Sequence, residues 1–599
     1  MDIIHSFGKF NSINQTARGD ASLMLAGGGS YLWIGKNPSS RYQGWFFETG
    51  AGLVKIIDDI RIKDEDRFLA FKNDFWRAQR VWKNNIQTFS ILAVDCLACE
   101  FDKPSRIEFF LDIKEPYRNP ESGRHHRVWQ ENQLLLASYR QDADFRLPEI
   151  FLAVCGDFDN LKIKNEWIRR DYEFDERRAS PPFYRWVFSP AEFFASKLIF
   201  AVGFDRVKTA ARAKNVWRDY QTIKEQKKKS IAAPSIFFSP VSAGKKDREN
   251  LMAKDCAKSS LKSLLFELGG RPALRAGLPW FFQTWQRDEA VSIKGLALFD
   301  APAAAGIFWR QIDELKNNHW RFGTADGVGL IFSRAADLPA AKQFNSKEIK
   351  AVGECLQNSI DYLLKNNTQN DLAANYNSEK TWMDSLNRSG AAIEIQALRI
   401  KMYSLAAGLA VGEKEKEYYE NLANKLKSAV RQNFFDKNRL ADKFDVGDNS
   451  ADFTCRPNIF LAAYICPDLF SKYEWIKIFD WALPRLWCDW GGLSTIDKND
   501  PRFCARDTGE DSKSYHNGDS WFWINNIAAI AMARADRKKF KNHIEKIFEA
   551  SKNDILWNGA IGCAGEISSA AMYESAGCPN QAWSNATFLE FYHYLSGKF

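Results

Sequence analysis

The chain has 599 residues, which exceeds the size of a single hydrophobic core and predicts two or more domains. Its hydrophobic content of 45% and charged content of 26% are those of a folded globular protein, which excludes disordered and fibrous classes. The formal net charge of +8 is spread along the chain. Its densest basic run, Lys224–Lys229, is better explained by a solvated helix face than by a nucleic-acid patch.

Composition also bears on location and cofactors. No run reaches the roughly 18 apolar residues needed to cross a bilayer, and residues 1–15 lack the regions of a signal peptide. The 11 cysteines, an odd number without a close histidine cluster, indicate reduced thiols and not a disulfide frame or zinc site. We therefore expect a cytoplasmic protein that needs no metal or cofactor and has neither membrane nor nucleic acid as a partner.

Aromatic residues make up 14% of the chain, with 21 Trp, 18 Tyr and 45 Phe. Core packing explains most Phe side chains, whereas Trp offers a flat apolar face with an N–H donor at its edge. Sugars present flat C–H faces bordered by hydroxyl groups, so Trp residues beside Asp, Glu and Arg suit a carbohydrate ligand. The composition alone is a weak indication of such a ligand.

Residues 1–205 are predicted to form an N-terminal antiparallel β-sandwich. Short runs of alternating, β-branched or aromatic residues, separated by polar turns without helical patterns, are typical of this class. The Gly-rich segment Leu25–Gly29 lacks the lysine and hydroxyl of a phosphate-binding loop, so no nucleotide site is expected there. The predicted strands include Thr88–Cys99, Ser105–Ile113, Val128–Tyr139, Glu149–Cys155 and Lys197–Phe204.

The pattern becomes helical after residue 205. Residues 206–246 are expected to form a helical linker, with a helix over Val207–Lys229 and a loop over Ser230–Lys246. In residues 247–599, apolar side chains recur at helical spacing without intervening strands or a fixed-period repeat, which favours an all-α toroid of helical hairpins. The candidate helices are Glu249–Leu268, Ser292–Leu298, Lys347–Leu364, Ala391–Ala410, Glu413–Asn433, Pro457–Ala463, Trp475–Trp487, Trp521–Ala535, Lys539–Lys552 and Asn580–Leu595.

Four loops between these helices combine Trp with charged or hydrogen-bonding side chains. They are Trp280–Asp288 (WFFQTWQRD), Lys380–Asp384 (KTWMD), Tyr515–Trp523 (YHNGDSWFW) and the Gly- and Ser-rich loop around Glu566. Each loop lies at the mouth of a predicted helix, which is where a sugar-binding site is expected.

Glycoside hydrolysis needs one carboxyl group that protonates the leaving oxygen and a second that activates water or attacks carbon. The acid needs a raised pKa, which an apolar aromatic wall provides. Asp384, two residues after Trp382, has this setting. Glu566, in a small polar loop, suits an ionised base, and Arg287 with Asp288 suits a clamp for the hydroxyl groups of the terminal sugar.

Each of these residues also has a plainer explanation. An Arg-Asp pair before a helix is most often an N-cap with a salt bridge, and Trp382 is more often a core residue than a substrate wall. Glu394, in an apolar run, is either a structural carboxylate or a competitor of Asp384 for the acid role. His516 is more often a hydrogen-bonded loop histidine than a metal ligand, because no second ligand stands four residues on.

Six motifs occur in the order of a known family. They are PWF…WxRD from Pro279, TWMD…IEI from Thr381, RPN from Arg456, GLST from Gly492, YHNGDxWxW from Tyr515 and GxxGEI…GCPxQAWS from Gly562. This order resembles the amylo-α-1,6-glucosidase domain of glycogen-debranching enzymes, whose bacterial and archaeal branch also carries an N-terminal β-sandwich. The resemblance is detailed from about residue 265 onward and weak before it.

The resemblance implies an (α/α)6 barrel related to glucoamylases and hydrolysis with inversion of the anomeric centre. It implies Asp384 as general acid and Glu566 as general base. Glucoamylases place the acid immediately after the Trp, where this chain has Met383, so a one-residue ambiguity stays open. The expected substrate-binding residues are Trp285, Arg287, Asp288, Asp337, Trp382, Glu394, His516, Trp521 and Trp583.

The chain departs from the family around the expected subsites. Where the family has a GLIPN segment followed by an Asp, Gly329–Leu338 reads GLIFSRAADL, and Asp337 is the nearest match to that Asp. The family's GRWGRD corresponds to Gln283–Asp288 (QTWQRD), and its WPW corresponds to Trp521–Trp523 (WFW). The acid and the base are kept, while the geometry of the subsites is expected to differ.

We therefore expect an inverting, exo-acting α-glucosidase that acts on α-1,6-linked glucose stubs of glycogen or limit dextrin, with an α-glucan or oligosaccharide as its partner. One alternative is a glucoamylase-like hydrolase of α-1,4 maltooligosaccharides, trehalose or another small α-glucoside. Another is a non-catalytic glucan-binding protein. A phosphorylase is disfavoured, because Glu566 offers a base where that chemistry uses phosphate itself.

Overall fold

The computed structural model describes residues 3–6, 12–16, 22–50, 52–64, 67–142, 147–231, 245–335, 337–338 and 345–597. The chain divides into two compact units. The first unit comprises Met1–Ser259, Ser263–Gly269 and Ala560–Gly562, and the second comprises Ser260–Lys262, Gly270–Gly559 and Cys563–Phe599. Across the described ranges, no helix combines the length and the apolar run that a membrane crossing requires.

The described part of the first unit is built on a 15-stranded antiparallel sheet. Its strands are β1 (Ile3–Ser6), β2 (Ser12–Thr16), β3 (Ser22–Gly27), β4 (Ser30–Gly35), β5 (Gly44–Glu48), β6 (Leu53–Ile62), β7 (Phe68–Asn73), β8 (Ala78–Trp82), β9 (Ile86–Ala93), β10 (Cys96–Lys114), β11 (Arg124–Glu131), β12 (Leu134–Gln141), β13 (Ile150–Gly156), β14 (Asp159–Asp171) and β15 (Tyr184–Gly203).

Two long strands, β10 and β15, pair with each other and join two branches of this sheet. One branch contains β9 and β13, and the other contains β6 and β14. The first half of β10 pairs with β9 and its second half with β6. The first half of β15 pairs with β14 and its second half with β13. The antiparallel β architecture is confirmed. The expected sandwich would have two separate sheets, whereas these strands form one continuous hydrogen-bonded network, because β10 and β15 are long enough to serve both branches.

The apolar core of this unit takes side chains from both branches. Leu32 and Trp45 on β4 and β5, and Phe89 and Ile91 on β9, belong to one cluster of buried residues. Strands β3 and β4 also contact β9. Since burying one such side chain stabilises the fold by about 1.5–3 kcal/mol, this shared cluster holds the two branches together.

Two segments predicted as single strands contain turns. Thr88–Cys99 covers the end of β9 and the start of β10, and Val128–Tyr139 covers parts of β11 and β12. The second turn contains Asn132, whose φ of 56° lies in the left-handed region that asparagine tolerates. Apolar alternation continues across such tight hairpins, so the pattern alone does not reveal them.

The chain contains one C-x-x-C spacing, formed by Cys96 and Cys99 within β10. Residues three apart on a strand point to opposite faces of the sheet, and the two thiols lie in different apolar clusters. Burial raises the pKa of both thiols. They are therefore inert core side chains and not a redox or metal pair.

The helices of the first unit follow or interrupt the sheet. The segment Val207–Lys229, predicted as one helix, forms two, which meet at Asp219. The first of them packs against β13 and β15. Residues 232–244, most of the expected loop Ser230–Lys246, lie outside the described residues. The helices are α1 (Glu173–Arg177), α2 (Arg206–Arg218), α3 (Tyr220–Ile231) and α4 (Lys245–Ser263).

The second unit is helical, as predicted. Its helices are α5 (Gln286–Ala297), α6 (Ala301–Asn317), α7 (Gly327–Ala335), α8 (Ser346–Asn366), α9 (Ile393–Leu409), α10 (Glu413–Phe434), α11 (Asn458–Ile465), α12 (Lys472–Leu486), α13 (Phe522–Asp536), α14 (Lys541–Trp557) and α15 (Ala582–Leu595). Two of these helices, α6 and α7, were not predicted. Ala- and Gly-rich beginnings weaken their apolar periodicity, although Asp300 caps α6 through the amide of Ala303.

Short strands join these helices. They are β16 (Leu265–Leu268), β17 (Arg271–Leu274), β18 (Gly277–Leu278), β19 (Thr368–Gln369), β20 (Leu372–Ala373), β21 (Ala391–Ala392), β22 (Phe435–Asp436), β23 (Arg439–Leu440), β24 (Lys443–Asp445), β25 (Ser450–Asp452), β26 (Trp487–Cys488), β27 (Gly492–Leu493), β28 (Ser520–Trp521), β29 (Ile567–Ser568), β30 (Ser575–Ala576) and β31 (Asn580–Gln581).

Every second helix of this unit contacts the next in a closed series. Helix α5 contacts α7, α7 contacts α9, α9 contacts α11, α11 contacts α13, α13 contacts α15, and α15 contacts α5. The intervening helices pack against this series, with α6 on α5 and α7, α10 on α9, α12 on α13 and α14 on α13. All residues of α11 and most of α13 are buried, as expected for helices that are apolar on all sides.

Candidate active site

The first turns of the helices in the closed series carry polar side chains singled out from the sequence. Arg287 and Asp288 lie in the first turn of α5, and Asn458 opens α11. Trp521 and Gln581 precede the first residues of α13 and α15. Short antiparallel strand pairs connect the starts of two of these helices to other loops of the unit. Strand β31, just before α15, pairs with β18, and β28, just before α13, pairs with β29.

Glu566 is buried and held by two hydrogen-bond donors. The Tyr515 hydroxyl donates to its Oε1, and the amide of Cys578 donates to its Oε2 over 2.8 Å. Its own amide donates to the carbonyl of Cys578 over 2.9 Å. Burial raises the pKa of Tyr515, and the neighbouring Glu566 adds to this shift, so the phenol remains a donor. Both donors stabilise a carboxylate anion at this position.

Glycine residues make room for this carboxylate. Gly577 has a φ of 65°, and a Cβ at this residue would lie 2.4 Å from Oε2 of Glu566. The amide of Gly565 donates to Oδ2 of Asp554 over 2.7 Å. A Cβ on Gly565 would lie 2.8 Å from the hydroxyl of Ser575. The small-residue composition of the loop is therefore required by close approach to Glu566 and to its supports.

Arg287 connects α5 to the segments that precede α7 and follow α8. Its Nε donates to Asp326 Oδ2 over 2.8 Å, and its Nη2 donates to the carbonyl of Thr381 over 2.9 Å. Its Nη1 lies 3.5 Å from Oδ2 of Asp384. Oδ1 of the buried Asp326 has no hydrogen-bond partner within the described ranges. Buried carboxylate oxygens are usually paired, so this oxygen is available to a ligand.

Asp384 is the accessible carboxyl group of the site. Its side chain is 44% exposed, whereas that of Arg287 is 5% exposed. The surrounding protein still limits the hydration of the carboxyl group and raises the pKa of Asp384. The carboxylate of Asp326 adds to this shift, and the Arg287 guanidinium opposes it. A carboxyl group with these properties is suited to donating a proton to a substrate.

Asp288 is a second acid with a raised pKa. Its side chain is buried, and Nε2 of Gln581 donates to its Oδ1 over 3.2 Å. Burial raises the pKa of Asp288 to about 8, against the effect of Arg287. The carboxylates of Glu566 and Asp384 contribute to this upward shift, so the three acids share one electrostatic environment.

Glu394 has a structural setting. It is fully buried, and both of its oxygens accept hydrogen bonds from the guanidinium of Arg388. Arg388 also donates to both oxygens of Asp442 over 3.0 Å and to the hydroxyl of Thr381 over 3.0 Å. Bidentate, charge-assisted pairs of this kind fix geometry. Glu394 is therefore occupied by Arg388, and Asp384 is the one of the two candidate acids that a substrate can reach.

Three of the four predicted Trp residues, Trp382, Trp521 and Trp583, form one aromatic cluster with Trp523 and His516. The ring of Trp382 meets those of His516, Trp521 and Trp523 edge to face, with centroids 5.1–5.6 Å apart. His516 stacks on Trp521 at 5.1 Å, and Trp523 stacks on Trp583 at 4.9 Å. All of these rings are buried. The cluster is apolar and packed on all sides, with Trp382 in contact with three of the other rings, so its role as a wall for substrate stays a prediction.

His516 is neutral and linked to the segment that carries Asp384. Its Nδ1 is 2.7 Å from the hydroxyl of Ser385, while its Nε2 is buried without a hydrogen-bond partner among the residues described. Burial lowers the pKa of His516 well below its ordinary value, and Arg456 and Arg287 act in the same direction. A neutral ring with one free nitrogen is suited to a sugar hydroxyl.

Trp285 and Asp337 lie apart from the buried set. Trp285 is 42% exposed and precedes the first turn of α5. Asp337 accepts a hydrogen bond from Arg334 over 2.7 Å and lies 3.6 Å from Lys294. It follows the C-terminal end of α7, whereas Asp326 precedes the first residue of this nine-residue helix, which is about 13 Å long. The structure therefore does not bring Asp337 to the site, and the Asp of this region that contacts Arg287 is Asp326.

Sequence reasoning missed three polar residues of the site. Tyr515 opens the YHNGD motif, but its contact with Glu566 spans 51 residues and has no local signal. Asp326 precedes α7, a helix that was not predicted. Ser385 directly follows Asp384 and could have been found as a neighbour of the proposed acid.

The side chains gathered here offer proton donation by an accessible acid, Asp384, and proton acceptance by a buried carboxylate, Glu566. Within the described residues, no group of three or more His, Cys, Asp or Glu side chains could hold a metal ion. An accessible acid, a buried carboxylate and a set of Trp rings are the features that glycosidases use.

Comparison with known proteins agrees with this class. Residues 332–590 match the model of the family described as amylo-alpha-1,6-glucosidase. The matched segment contains Asp384 and Glu566 but begins after Arg287, Asp288 and Asp326. No curated protein matches the chain. The match points to a glycosidase-type enzyme similar to glycogen-debranching proteins.

Proposed function

We propose that this protein is an inverting, exo-acting α-glucosidase that hydrolyses α-1,6-linked glucose stubs of glycogen or limit dextrin. The observation that carries the proposal is the contrast between two carboxyl groups inside the family match. Asp384 is 44% exposed and has a raised pKa. Glu566 is buried and held by two donors. An acid and a base in different environments are what an inverting glycosidase needs.

In the proposed reaction, Asp384 donates its proton to the glycosidic oxygen as the bond between that oxygen and the anomeric carbon breaks. A water molecule attacks the anomeric carbon from the opposite face, and Glu566 accepts the proton that this water loses. The attack inverts the configuration, so α-linked glucose leaves as β-glucose. This mechanism requires the two carboxyl groups to be about 6.5–9.5 Å apart, with room for the water between them.

The exo mode is supported by the buried Arg287 and Asp288 at the beginning of α5. In the proposal, Asp288 and the free oxygen of Asp326 bind hydroxyl groups of the terminal glucose, and His516 binds another through Nε2. Trp521 and Trp583 line the pocket behind that ring. Trp285, exposed beside the same helix, is proposed to contact the next sugar.

The proposal also covers the architecture. The closed series of six helices from α5 to α15 supports the inner layer of an (α/α)6 toroid, and α6, α8, α10, α12 and α14 supply five of its six outer helices. We assign residues 247–599 to this catalytic domain, 206–246 to a helical linker and 1–205 to an N-terminal antiparallel β domain. The proposed location is the cytoplasm, with an α-glucan as partner and without nucleic acid, membrane or cofactor.

The test is to incubate the purified protein with limit dextrin, isomaltose, maltotriose and trehalose, and to follow released glucose by proton NMR. The expected result is initial β-glucose from limit dextrin and isomaltose. Initial α-glucose would overturn the inverting mechanism. Glucose released only from maltotriose or only from trehalose would overturn the α-1,6 specificity and show that the protein hydrolyses a small α-glucoside. If no substrate releases glucose, the proposed activity is wrong and the non-catalytic glucan-binding protein becomes the favoured function.

A further inference from the structure

The hairpin of β14 and β15 presents a row of aromatic side chains on one face. Trp167 pairs with Phe188, Arg169 with Trp186, and Asp171 with Tyr184. Directly paired residues, and residues two apart, share one face of a sheet. Trp167, Trp186 and Tyr184 therefore lie on the same face. Trp186 is the diagonal neighbour of Trp167, at a typical distance of about 7–8 Å. Tyr184 is two residues from Trp186 on β15, so the three side chains are neighbours on this face.

These rings are unusually exposed for their size. Trp167 is 39% exposed, Trp186 is 44% exposed and Tyr184 is 47% exposed. The opposite face of the same hairpin is buried, because Arg185 pairs there with Asp112 over 2.8 Å. The hairpin is thus anchored through this face and, on the aromatic face, through the buried Phe188 beside Trp167. The exposed parts of Trp167, Trp186 and Tyr184 are left to solvent.

The charged groups on the aromatic face are paired. Arg169 lies over the Tyr184 ring at 4.2 Å and makes an ion pair with Asp171 over 2.9 Å. Arg124 lies over the Trp167 ring at 4.4 Å and pairs with Glu121 over 3.4 Å. These contacts hold the rings in place while the charges on the face cancel. A strongly charged ligand such as a nucleic acid gains little from such a face, whereas a neutral ligand that is rich in hydroxyl groups suits it.

We propose that Trp167, Trp186 and Tyr184 form a binding platform for an α-glucan chain, separate from the site that contains Asp384 and Glu566. Flat C–H faces of successive glucose units stack on the Trp186 ring and on the faces of Trp167 and Tyr184 that Arg124 and Arg169 leave uncovered. The guanidinium of Arg169 and the carboxylate of Asp171 bind the hydroxyl groups at the edges of the sugars. The platform rests on the proposed function for its choice of ligand, and it identifies the substrate as a polymer and not a short oligosaccharide.

Affinity electrophoresis tests the platform independently of catalysis. The full-length protein is run in native gels with and without glycogen, beside Trp186→Ala, the double variant Trp186→Ala/Tyr184→Ala, and Tyr473→Ala. Tyr473 is 65% exposed on α12 and provides the matched control. The wild type and the control are expected to be retarded equally. The double variant is expected to lose affinity about tenfold, which corresponds to two ring contacts at about 0.7 kcal/mol each.

Kinetics separate the platform from the active site. For the double variant, kcat/KM on isomaltose is expected to equal that of the wild type, while KM on glycogen rises about tenfold. Thermal unfolding confirms that the variants fold. Retardation without any glucose release supports the platform and rejects the proposed function.

Two results would overturn the platform. One is wild-type retardation in the double variant, or no retardation of the wild type. The other is a change of oligomeric state in the double variant, measured by light scattering, with glycogen binding intact. That second result would make this face a contact between copies of the chain.

Discussion

The hydroxyl of Tyr515 donates a hydrogen bond to Oε1 of Glu566, across 51 residues of sequence. Tyr515 lies in the loop before α13, and Glu566 lies in the loop after α14. The pairing of β28 with β29 brings these two loops together. Since the Cys578 amide occupies the other oxygen, the carboxylate is fixed at both ends. In the proposed mechanism, these two hydrogen bonds fix the orientation of the Glu566 carboxylate toward the water that it deprotonates.

Replacing Tyr515 by Phe removes one of these two supports. A hydrogen bond to a charged group contributes about 1.5–3 kcal/mol, so we expect kcat to fall at least about tenfold with KM nearly unchanged. Steady-state kinetics on isomaltose measures both. The control is Tyr573→Phe, which removes a partly buried hydroxyl that donates to the carbonyl of Ala550. An equal loss in both variants would show that Tyr515 acts only through stability.

Asp384→Asn is expected to lower kcat on limit dextrin by about 10²–10⁴-fold, the range for loss of a general acid. Its activity on α-glucosyl fluoride is expected to stay close to that of the wild type, because fluoride leaves without a proton. Glu566→Gln provides the contrast, since a missing base impairs both substrates. Equal losses of Asp384→Asn on both substrates would remove the acid assignment.

Glu394→Gln distinguishes the two carboxyl groups that compete for the acid role. Removing one partner of a buried pair costs about 3–5 kcal/mol, so the variant is expected to unfold at lower urea concentration. The same change at Glu413, which is 86% exposed on α10, is expected to be neutral. The raised pKa of Asp384 sets the pH at which activity falls on the alkaline side. This limb is expected to persist in Glu394→Gln, and its disappearance there would assign the acid to Glu394.

Local signals predicted much of this molecule. The helical pattern predicted most helices of the second unit, and the motifs singled out Arg287, Asp384, Glu566 and the Trp residues, whose catalytic roles stay predictions. The pairing of Tyr515 with Glu566 was not predictable, because it depends on two loops meeting after the helices between them have packed. Asp337 was chosen as the nearest match to an Asp of the similar family, while the contact with Arg287 is made at the other end of α7. Sequence distance along a helix does not show which end faces the site.

Asp554 supports the Glu566 loop through the amide of Gly565 and makes stability depend on pH. Burial raises its pKa to about 7, from about 3.9 in an unfolded chain. Its titratable neighbours Cys563 and Tyr573 stay neutral, because burial raises the pKa of each. A carboxyl group whose pKa is higher in the folded state favours folding at low pH. This contribution is present below about pH 4 and is lost as pH rises to about 7, at up to about 1.4 kcal/mol per unit.

Asp554→Asn keeps an oxygen that accepts from Gly565 but cannot ionise. We therefore expect its melting temperature, relative to the wild type, to rise between pH 5 and pH 8, with most of the change below pH 7. Calorimetry across this range measures the difference. Asp480→Asn is the control, because that residue lies on the surface of α12 in an exposed ion pair with Lys539. A constant difference between Asp554→Asn and the wild type would show that Asp554 does not titrate in this range and that the loop is held equally well at either pH.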